Sequence, residues 1–186
     1  MVNITINSNI TLRTFTPEDA EALLGAINAS RAHLSPWLDW IKHTTKIEHA
    51  AKYIKDSLHC ANMQEGLFLG IFDNGQLTGG VTMHQWDHKL KKADIGYWLV
   101  KGNEGKGTIA LCLRHFATFL FTKTGLTKIE VHFAAANKRS AKVAERLGCR
   151  IEGVIRQGTL RNGMAEDLVI AGLLKSEWEQ IINSKN

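Results

Sequence analysis

The sequence of 186 residues holds only 3 cysteines and 2 prolines and has no long apolar run. Cys60, Cys112 and Cys149 lie far apart in the chain, which argues against a disulfide framework or a zinc knuckle. The longest apolar runs, such as residues 116–121, fall far short of the roughly 20 residues that a membrane-spanning helix needs. The chain also starts without a basic segment followed by an apolar core, so we expect no secretion signal. These absences predict a cytoplasmic protein that does not enter a membrane.

The composition that remains is ordinary for a globular domain. Hydrophobic residues make up 44% and charged residues 22% of the chain, and no repeat or linker rich in proline, glycine or serine interrupts it. We therefore predict a single domain over residues 1–186. The formal net charge of +5 permits an anionic partner, such as a phosphorylated cofactor, an acidic protein or RNA, but selects none of them.

Local signals predict a mixed α/β order of elements. A strand at residues 10–15 is followed by a helix that begins at 16-TPED-19, where a threonine cap precedes a proline. Residues 45–48 form a capping box for a second helix, and Asn-Gly pairs at 74–75 and 162–163 predict two β-hairpins. The other predicted elements are a strand at 93–100, a helix at 108–125, a strand at 128–133 and a helix at 138–147. This order predicts a mixed sheet with helices on its faces.

The glycine-rich loop from Gly102 to Gly107 is the segment that most suggests chemistry. It leads from a predicted strand directly into a long helix, and backbone N–H groups at such a helix N-terminus form a natural cradle for a diphosphate. Lys106 offers a positive charge there. A P-loop is excluded because Val100 stands where its first glycine belongs. A dinucleotide-binding unit is disfavoured because antiparallel strands precede the loop.

Four segments of the chain together match a family pattern. They are residues 11–23, 93–111, 137–158 and 167–178. The most specific is the run from Asn137 through Ser140 to Gly148, followed by Glu152 and Gly153. Taken in this order, the segments resemble the GCN5-related N-acetyltransferase (GNAT) superfamily and, within it, the RimJ/RimL-type ribosomal-protein N-terminal acetyltransferases.

The resemblance implies the GNAT fold, a mostly antiparallel sheet with one splayed pair of parallel strands. It implies that acetyl-CoA lies between those strands, with its pyrophosphate on the loop and its pantetheine along the strand edge. It also places Ser140 near the sulfur, where it would protonate the departing thiolate. The cofactor-binding residues that it predicts are Trp98, Leu99, Val100, Gly105, Lys106, Gly107, Thr108, Ile109, Ala110 and Asn137. No metal is expected.

Two positions depart from the family pattern. Glu104 stands where glutamine or arginine usually opens the loop, and Ile109 stands where a small residue is usual. A carboxylate facing the phosphates would be unfavourable. We therefore expect either weaker affinity for the cofactor or a Glu104 side chain that points outward.

The general base is not fixed by the sequence. The glutamate assigned to this role in Rim-type enzymes corresponds to Thr159, so we predict Asp94 as the substitute, with Glu130 and Asp167 behind it. An α-amine with a pKa near 8 is roughly one-tenth neutral at pH 7, so a weak or water-relayed base suffices. We interpret His132, on a predicted strand, as a packing or partly exposed residue.

The resemblance implies acetyl transfer to a primary amine by direct attack, with the N-terminal α-amine of a protein, by family name a ribosomal one, as the favoured acceptor. Trp37 and Trp40 are expected to line the acceptor cleft. Association with the ribosome and a homodimer are further expectations. One alternative is a small-molecule amine acceptor, such as an aminoacyl nucleotide or a polyamine. Another is a non-catalytic CoA-binding sensor or RNA-associated module.

Overall fold

The computed structural model describes residues 1–184 of the chain. Its strands are β1 (Asn3–Thr5), β2 (Ile10–Thr14), β3 (Leu67–Asp73), β4 (Gln76–Asp87), β5 (Lys92–Leu99), β6 (Lys128–Ala134), β7 (Arg150–Arg161) and β8 (Met164–Leu174). Its helices are α1 (Ala20–Leu34), α2 (Trp40–His43), α3 (Ile47–Asn62), α4 (Thr108–Lys123), α5 (Lys138–Leu147) and α6 (Lys175–Asn183), and a 3-10 turn (Pro17–Asp19) precedes α1. Within residues 1–184, no helix combines the length and the apolar character needed to cross a membrane.

The eight strands form one sheet in the order β1-β2-β3-β4-β5-β6-β8-β7. The single domain over residues 1–186 stays a prediction, and residues 185 and 186 of that range lie outside the described residues. Every neighbouring pair of strands is antiparallel except β5 and β6. Helix α4 connects these two strands, as the β-α-β pattern predicts. The predicted mixed, mostly antiparallel sheet is confirmed.

The parallel strands β5 and β6 part almost at once. They pair only from Lys92 to Asp94 on β5 and from Lys128 to Glu130 on β6. Beyond that point β5 continues along β4, and β6 continues along β8. The predicted splayed pair is therefore confirmed, and the opening between its strands positions the site.

Helices cover both faces of the sheet. Because successive side chains of a strand point to opposite faces, odd-numbered and even-numbered residues of one strand pack against different helices. One buried cluster joins α4 to the odd-numbered residues of β5 and β6, among them Ala93, Ile95, Leu99, Ile129, Val131 and Phe133. The other cluster joins α1 and α3 to Trp98, an even-numbered residue of β5. Odd-numbered residues of these strands thus face α4, and even-numbered residues face the side of α1.

The predictions of two hairpins and of a capping box had different outcomes. Both hairpins are confirmed, and their turns carry positive φ angles at Asn74 and Gly75 (48° and 79°) and at Asn162 and Gly163 (52° and 80°). The predicted capping box at residues 45–48 is wrong. Helix α3 begins at Ile47, with Lys46 as its uncapped N-cap, because the Thr45 hydroxyl lies against His49 Nδ1 at 3.4 Å.

Candidate active site

A cavity of about 620 Å³ opens where β5 and β6 part. The N-termini of α4 and α5, the segment after α1, and the tip of the β7–β8 hairpin complete its walls. Predicted site residues that line it are Trp37, Trp98, Leu99, Gly105, Gly107, Thr108, Ile109, Ala110, Asn137 and Ser140. The predicted residues Trp40, Asp94, Val100 and Lys106 are not part of its lining. One cavity therefore gathers most of the residues that the sequence singles out.

The glycine loop has the geometry of an anion cradle. Gly102, Gly105 and Gly107 have φ angles of 98°, 78° and 78°, in the left-handed region that favours glycine. Gly107 is the N-cap of α4, and the Leu111 N–H makes the bond to its carbonyl at 3.0 Å. The N–H groups of residues 108–110 therefore have no acceptor within the helix. A Cβ on Gly105 or Gly107 would meet nothing within 4 Å, so the loop borders open space, and free N–H groups at a helix N-terminus suit a diphosphate.

Side chains from two helices hold this loop in place. The buried Ser30 of α1 accepts a hydrogen bond from the Lys101 N–H at 2.8 Å. Glu104, which departs from the family pattern, contacts His33 Nε2 at 2.8 Å and Arg139 at 2.8 and 3.1 Å. The Glu104 carboxylate thus bridges α1 and α5 at the mouth of the cavity. There it binds the Arg139 guanidinium, which an incoming phosphate would otherwise attract.

The substitution Glu104→Gln should raise the affinity for coenzyme A several-fold. It removes a negative charge beside the cradle and frees Arg139, and the gain should shrink as salt screens the phosphates. Isothermal titration calorimetry at two salt concentrations measures the change. Glu145→Gln, on an exposed position of α5, removes the same charge outside the cavity and should leave the affinity unchanged. Weaker binding by Glu104→Gln would show that the bridge chiefly maintains the loop.

Tyr97 and Ser140 form a donor pair on the α4 side of the opening. Asn137 caps α5 by accepting the Ser140 N–H at 3.1 Å, so the cap does not use the Ser140 hydroxyl. The Tyr97 hydroxyl lies 3.0 Å from the Ser140 hydroxyl and donates to the Ser140 carbonyl at 3.2 Å. Burial raises the pKa of Tyr97 to about 12, so this phenol keeps its proton at neutral pH.

The carboxylates predicted as bases lie in three different environments. Asp94 is only 3% exposed and lies behind His132, whose Nδ1 is 3.1 Å from Asp94 Oδ2. Glu130 is bound by Lys128 at 2.8 Å and Lys92 at 3.1 Å. Asp167 accepts the Gln157 N–H at 2.9 Å inside the β7–β8 hairpin. His132, which the sequence analysis treats as a packing residue, is the member of the Asp94–Glu130–His132 group that lines the cavity.

A metal is not needed to explain that group. Its ligand atoms lie within 4.8 Å of one another, as in many metal sites. However, two lysine ammonium groups already neutralise Glu130. The two ring nitrogens of His132 also face different carboxylates, and one ion can bind only one of them. The geometry fits a hydrogen-bonded array better than a metal centre.

The side of the cavity away from α4 is bounded by Trp37 and the β7–β8 hairpin. The Trp37 side chain is partly exposed, and the Arg161 guanidinium lies 5.4 Å from the centre of its ring. Thr159 lines this region as well. Trp40 lies elsewhere, stacked on Tyr53 with ring centres 4.8 Å apart. The geometry brings one of the two predicted tryptophans to the cavity.

The cavity connects the two faces of the sheet. The glycine cradle and Tyr97 lie on the α4 side, whereas His132 and Trp37 lie on the other. A molecule held in the cradle can therefore reach between the strands and present its end to a second molecule arriving from the opposite face. A diphosphate cradle beside a splayed parallel pair suits a transferase that uses a long, phosphate-bearing donor.

Comparison with known proteins decides the family. The family model described as "Acetyltransferase (GNAT) domain" matches residues 9–150. The chain belongs to the GNAT family. It is 34% identical over 180 residues to YdaF of Bacillus subtilis (strain 168), named as a ribosomal N-acetyltransferase, with 96% of this chain and 98% of the relative covered. This GNAT protein is thus an acetyl-CoA-dependent acyltransferase.

Solved structures agree with this GNAT fold. RimL, a ribosomal L7/L12 α-N-protein acetyltransferase solved with coenzyme A, superposes with a TM-score of 0.91 at 22% identity, covering 95% of this chain and 99% of its own. The microcin C7 self-immunity acetyltransferase MccE, solved with acetyl-CoA and AMP, superposes with a TM-score of 0.86 at 26% identity, covering 91% and 94%. The predicted GNAT fold and acetyl-CoA requirement are confirmed.

Proposed function

We propose that this GNAT enzyme acetylates the N-terminal α-amine of a protein, and that this protein is a ribosomal protein. The observation that carries the proposal is the acceptor entrance on the face opposite the cradle. It lies between Trp37 and the tip of the β7–β8 hairpin, so an extended peptide end can enter while the rest of the protein stays outside. The names of YdaF and RimL support a ribosomal acceptor.

The residues divide the chemistry between the two faces. The N–H groups of residues 108–110 bind the diphosphate of acetyl-CoA, and the free edge of β5 directs its acyl end through the opening. The amine attacks the thioester carbon from the Trp37 side, and the C–S bond breaks as the C–N bond forms. On the α4 side, Ser140 donates a proton to the departing sulfur, and Tyr97 orients the Ser140 hydroxyl. No covalent enzyme intermediate is required.

The chemistry of amines also favours an α-amine. Its pKa of about 8 leaves roughly one-tenth of it neutral at pH 7, whereas obtaining a neutral lysine amine costs about 4–5 kcal/mol. Positioning the neutral amine about 3 Å from the thioester supplies much of the acceleration. A protein N-terminus is therefore a less demanding acceptor than an internal lysine.

Release of free thiol from acetyl-CoA tests the proposal. The enzyme is mixed with a set of peptides that carry the first residues of ribosomal proteins and one internal lysine, and with the same peptides blocked at the N-terminus. Thiol release with the free peptides and none with the blocked ones is the expected result. Equal release with both sets would indicate lysine acetylation and would contradict an α-amine acceptor.

A small-molecule amine is the second candidate, since MccE, at 26% identity, was solved with AMP as well as acetyl-CoA. The guanidinium of Arg161 over the Trp37 ring offers a flat surface on which a nucleobase can stack. A non-hydrolysable aminoacyl-AMP analogue and spermidine therefore belong in the same assay. Turnover with either, and none with any peptide, would replace the proposed acceptor.

A ribosomal acceptor would place the reaction in the cytoplasm, and association with the ribosome is part of the same proposal. The homodimer stays a prediction. Sedimentation of the purified protein measures its oligomeric state directly.

A further inference from the structure

The opening between β5 and β6 is closed at one end and wide at the other. It closes at Asp94 and Glu130, the last residues that pair the two strands. It is wide at the carboxyl end of β5, from which the chain continues into the glycine cradle. A donor whose diphosphate lies in the cradle and whose arm enters the opening therefore points its far end toward the closed end.

The acyl group is the part of the donor that comes nearest to this closed end. The proposed mechanism places Ser140 beside the thioester sulfur, and Tyr97 of β5 contacts the Ser140 hydroxyl at 3.0 Å. The acyl group lies beyond the sulfur, so it reaches the level of the neighbouring Gly96. The register of the last strand pair places His132 across the opening from Gly96. The acyl group therefore arrives between Gly96 and His132.

The ring of His132 is held in one orientation by two carboxylates. Its Nε2 makes a hydrogen bond with Glu130 Oε2 at 3.1 Å, and its Nδ1 lies 3.1 Å from the buried Asp94 Oδ2. Burial would raise the pKa of Glu130, but hydrogen bonds from Lys128 and Lys92 lower it to about 2, so this partner of the ring stays charged. Both ring nitrogens thus face carboxylates, and carbon atoms of the ring border the cavity.

Side chains on both faces of the sheet limit the space at this level. On the α4 side, Ile95 and Val131 line the cavity and are buried in the core. On the opposite side Gly96 has no side chain, so the His132 ring occupies the gap between the two strands. The ring therefore bounds the space that is left for the acyl group.

We propose that His132 determines the length of the acyl group that the enzyme accepts, because the acetyl methyl group packs against its ring and a longer chain collides with it. Close-packed surroundings resist even one added methylene group. A ring that moves aside also loses its hydrogen bond to the buried Glu130. The inference rests on the orientation of acetyl-CoA in the proposed function, and it does not depend on which amine accepts the group.

Calorimetry with acetyl-CoA, propionyl-CoA and butyryl-CoA tests the proposal without any acceptor. Each affinity is divided by the affinity for free coenzyme A, which carries no acyl group, so that effects on the rest of the binding site cancel. In the native enzyme this ratio should fall about 10-fold or more for each methylene group added to acetyl. Equal ratios for acetyl-CoA and butyryl-CoA would overturn the proposal.

His132→Asn should relax the selectivity. The asparagine amide can take the place of Nδ1 beside Asp94, whereas the outer half of the ring is removed. The ratio for butyryl-CoA should therefore rise about 10-fold, and the ratio for acetyl-CoA should change much less. His59→Asn, on an exposed position of α3, is the matched control and should leave every ratio as it is in the native enzyme.

His132→Gln separates the volume of the side chain from its polarity. Glutamine carries the same amide as asparagine on a side chain longer by one methylene group, so it can reach Glu130 where Nε2 lies. It should keep most of the native preference for acetyl-CoA. The same gain for butyryl-CoA in both variants would show that lost volume is not the cause, and would reject the inference.

Thermal unfolding of each variant checks that the fold survives. In a folded His132→Asn, an unchanged ratio for butyryl-CoA would contradict the proposal. If no peptide is acetylated in the thiol-release assay, the proposed acceptor fails, while these ratios still decide whether His132 limits the acyl group.

Discussion

Gly107→Glu should abolish measurable binding of acetyl-CoA while the fold survives. The added side chain would enter the space that the diphosphate needs, and its negative charge would oppose the phosphates at the N-terminus of α4. Calorimetry with acetyl-CoA measures the loss, and circular dichroism checks the fold. Unchanged affinity would count decisively against the proposed cradle.

The control for this substitution is Gly75→Glu. Gly75 has a φ of 79°, against 78° for Gly107, and a Cβ at either position would meet nothing within 4 Å. The backbone strain of about 1–2 kcal/mol is therefore the same in both variants. Gly75 lies in the turn between β3 and β4, outside the cavity. A loss of binding in Gly107→Glu alone isolates the effect on the cradle from the effect on stability.

Ser140→Ala should lower kcat about 100-fold with little change in the affinity for acetyl-CoA. The substitution removes the hydroxyl that the proposed mechanism places beside the departing sulfur, and a positioned proton donor contributes on this scale. The α5 cap should survive, because Asn137 binds the backbone N–H of residue 140 rather than its side chain. Steady-state kinetics of thiol release, together with thermal unfolding, measure both effects.

Two further variants complete that experiment. Tyr97→Phe removes the hydroxyl 3.0 Å from Ser140 and should lower kcat in the same direction. Ser176→Ala, on an exposed position of α6, should have no effect. Full turnover in Ser140→Ala would remove Ser140 from the catalytic residues.

Features encoded by neighbouring residues were predictable from the sequence. The hairpin turns at Asn74–Gly75 and Asn162–Gly163 depend on positive φ angles that these residue types tolerate. The cradle is also encoded by neighbouring residues, because the end of the strand, the glycines and the start of the helix follow one another from Val100 to Thr108. Three elements were missed. Strand β1 has 3 residues and helix α2 has 4, too few to show a period, and α6 follows β8 without an intervening loop.

The contacts within the candidate site join residues far apart in the chain, so no local pattern encodes them. Asp94 meets His132 because β5 and β6 pair in parallel with Asp94 opposite Glu130. A shift of that register by one residue would have turned His132 to the other face. Tyr97 meets Ser140 only after α4 has crossed the sheet and α5 has packed beside it. Strand alternation in residues 93–100 was the available signal for Tyr97, since it places that residue on the same face as Ile95 and Leu99.

The opening between β5 and β6 gives access to the site from both faces of the sheet. In the proposed mechanism the nucleotide arrives and departs beside α4 and the acceptor uses the opposite side, so neither substrate blocks the route of the other. If the acceptor is a protein, as proposed, it need insert only its first residues. An enzyme with this arrangement can acetylate a folded protein without unfolding it.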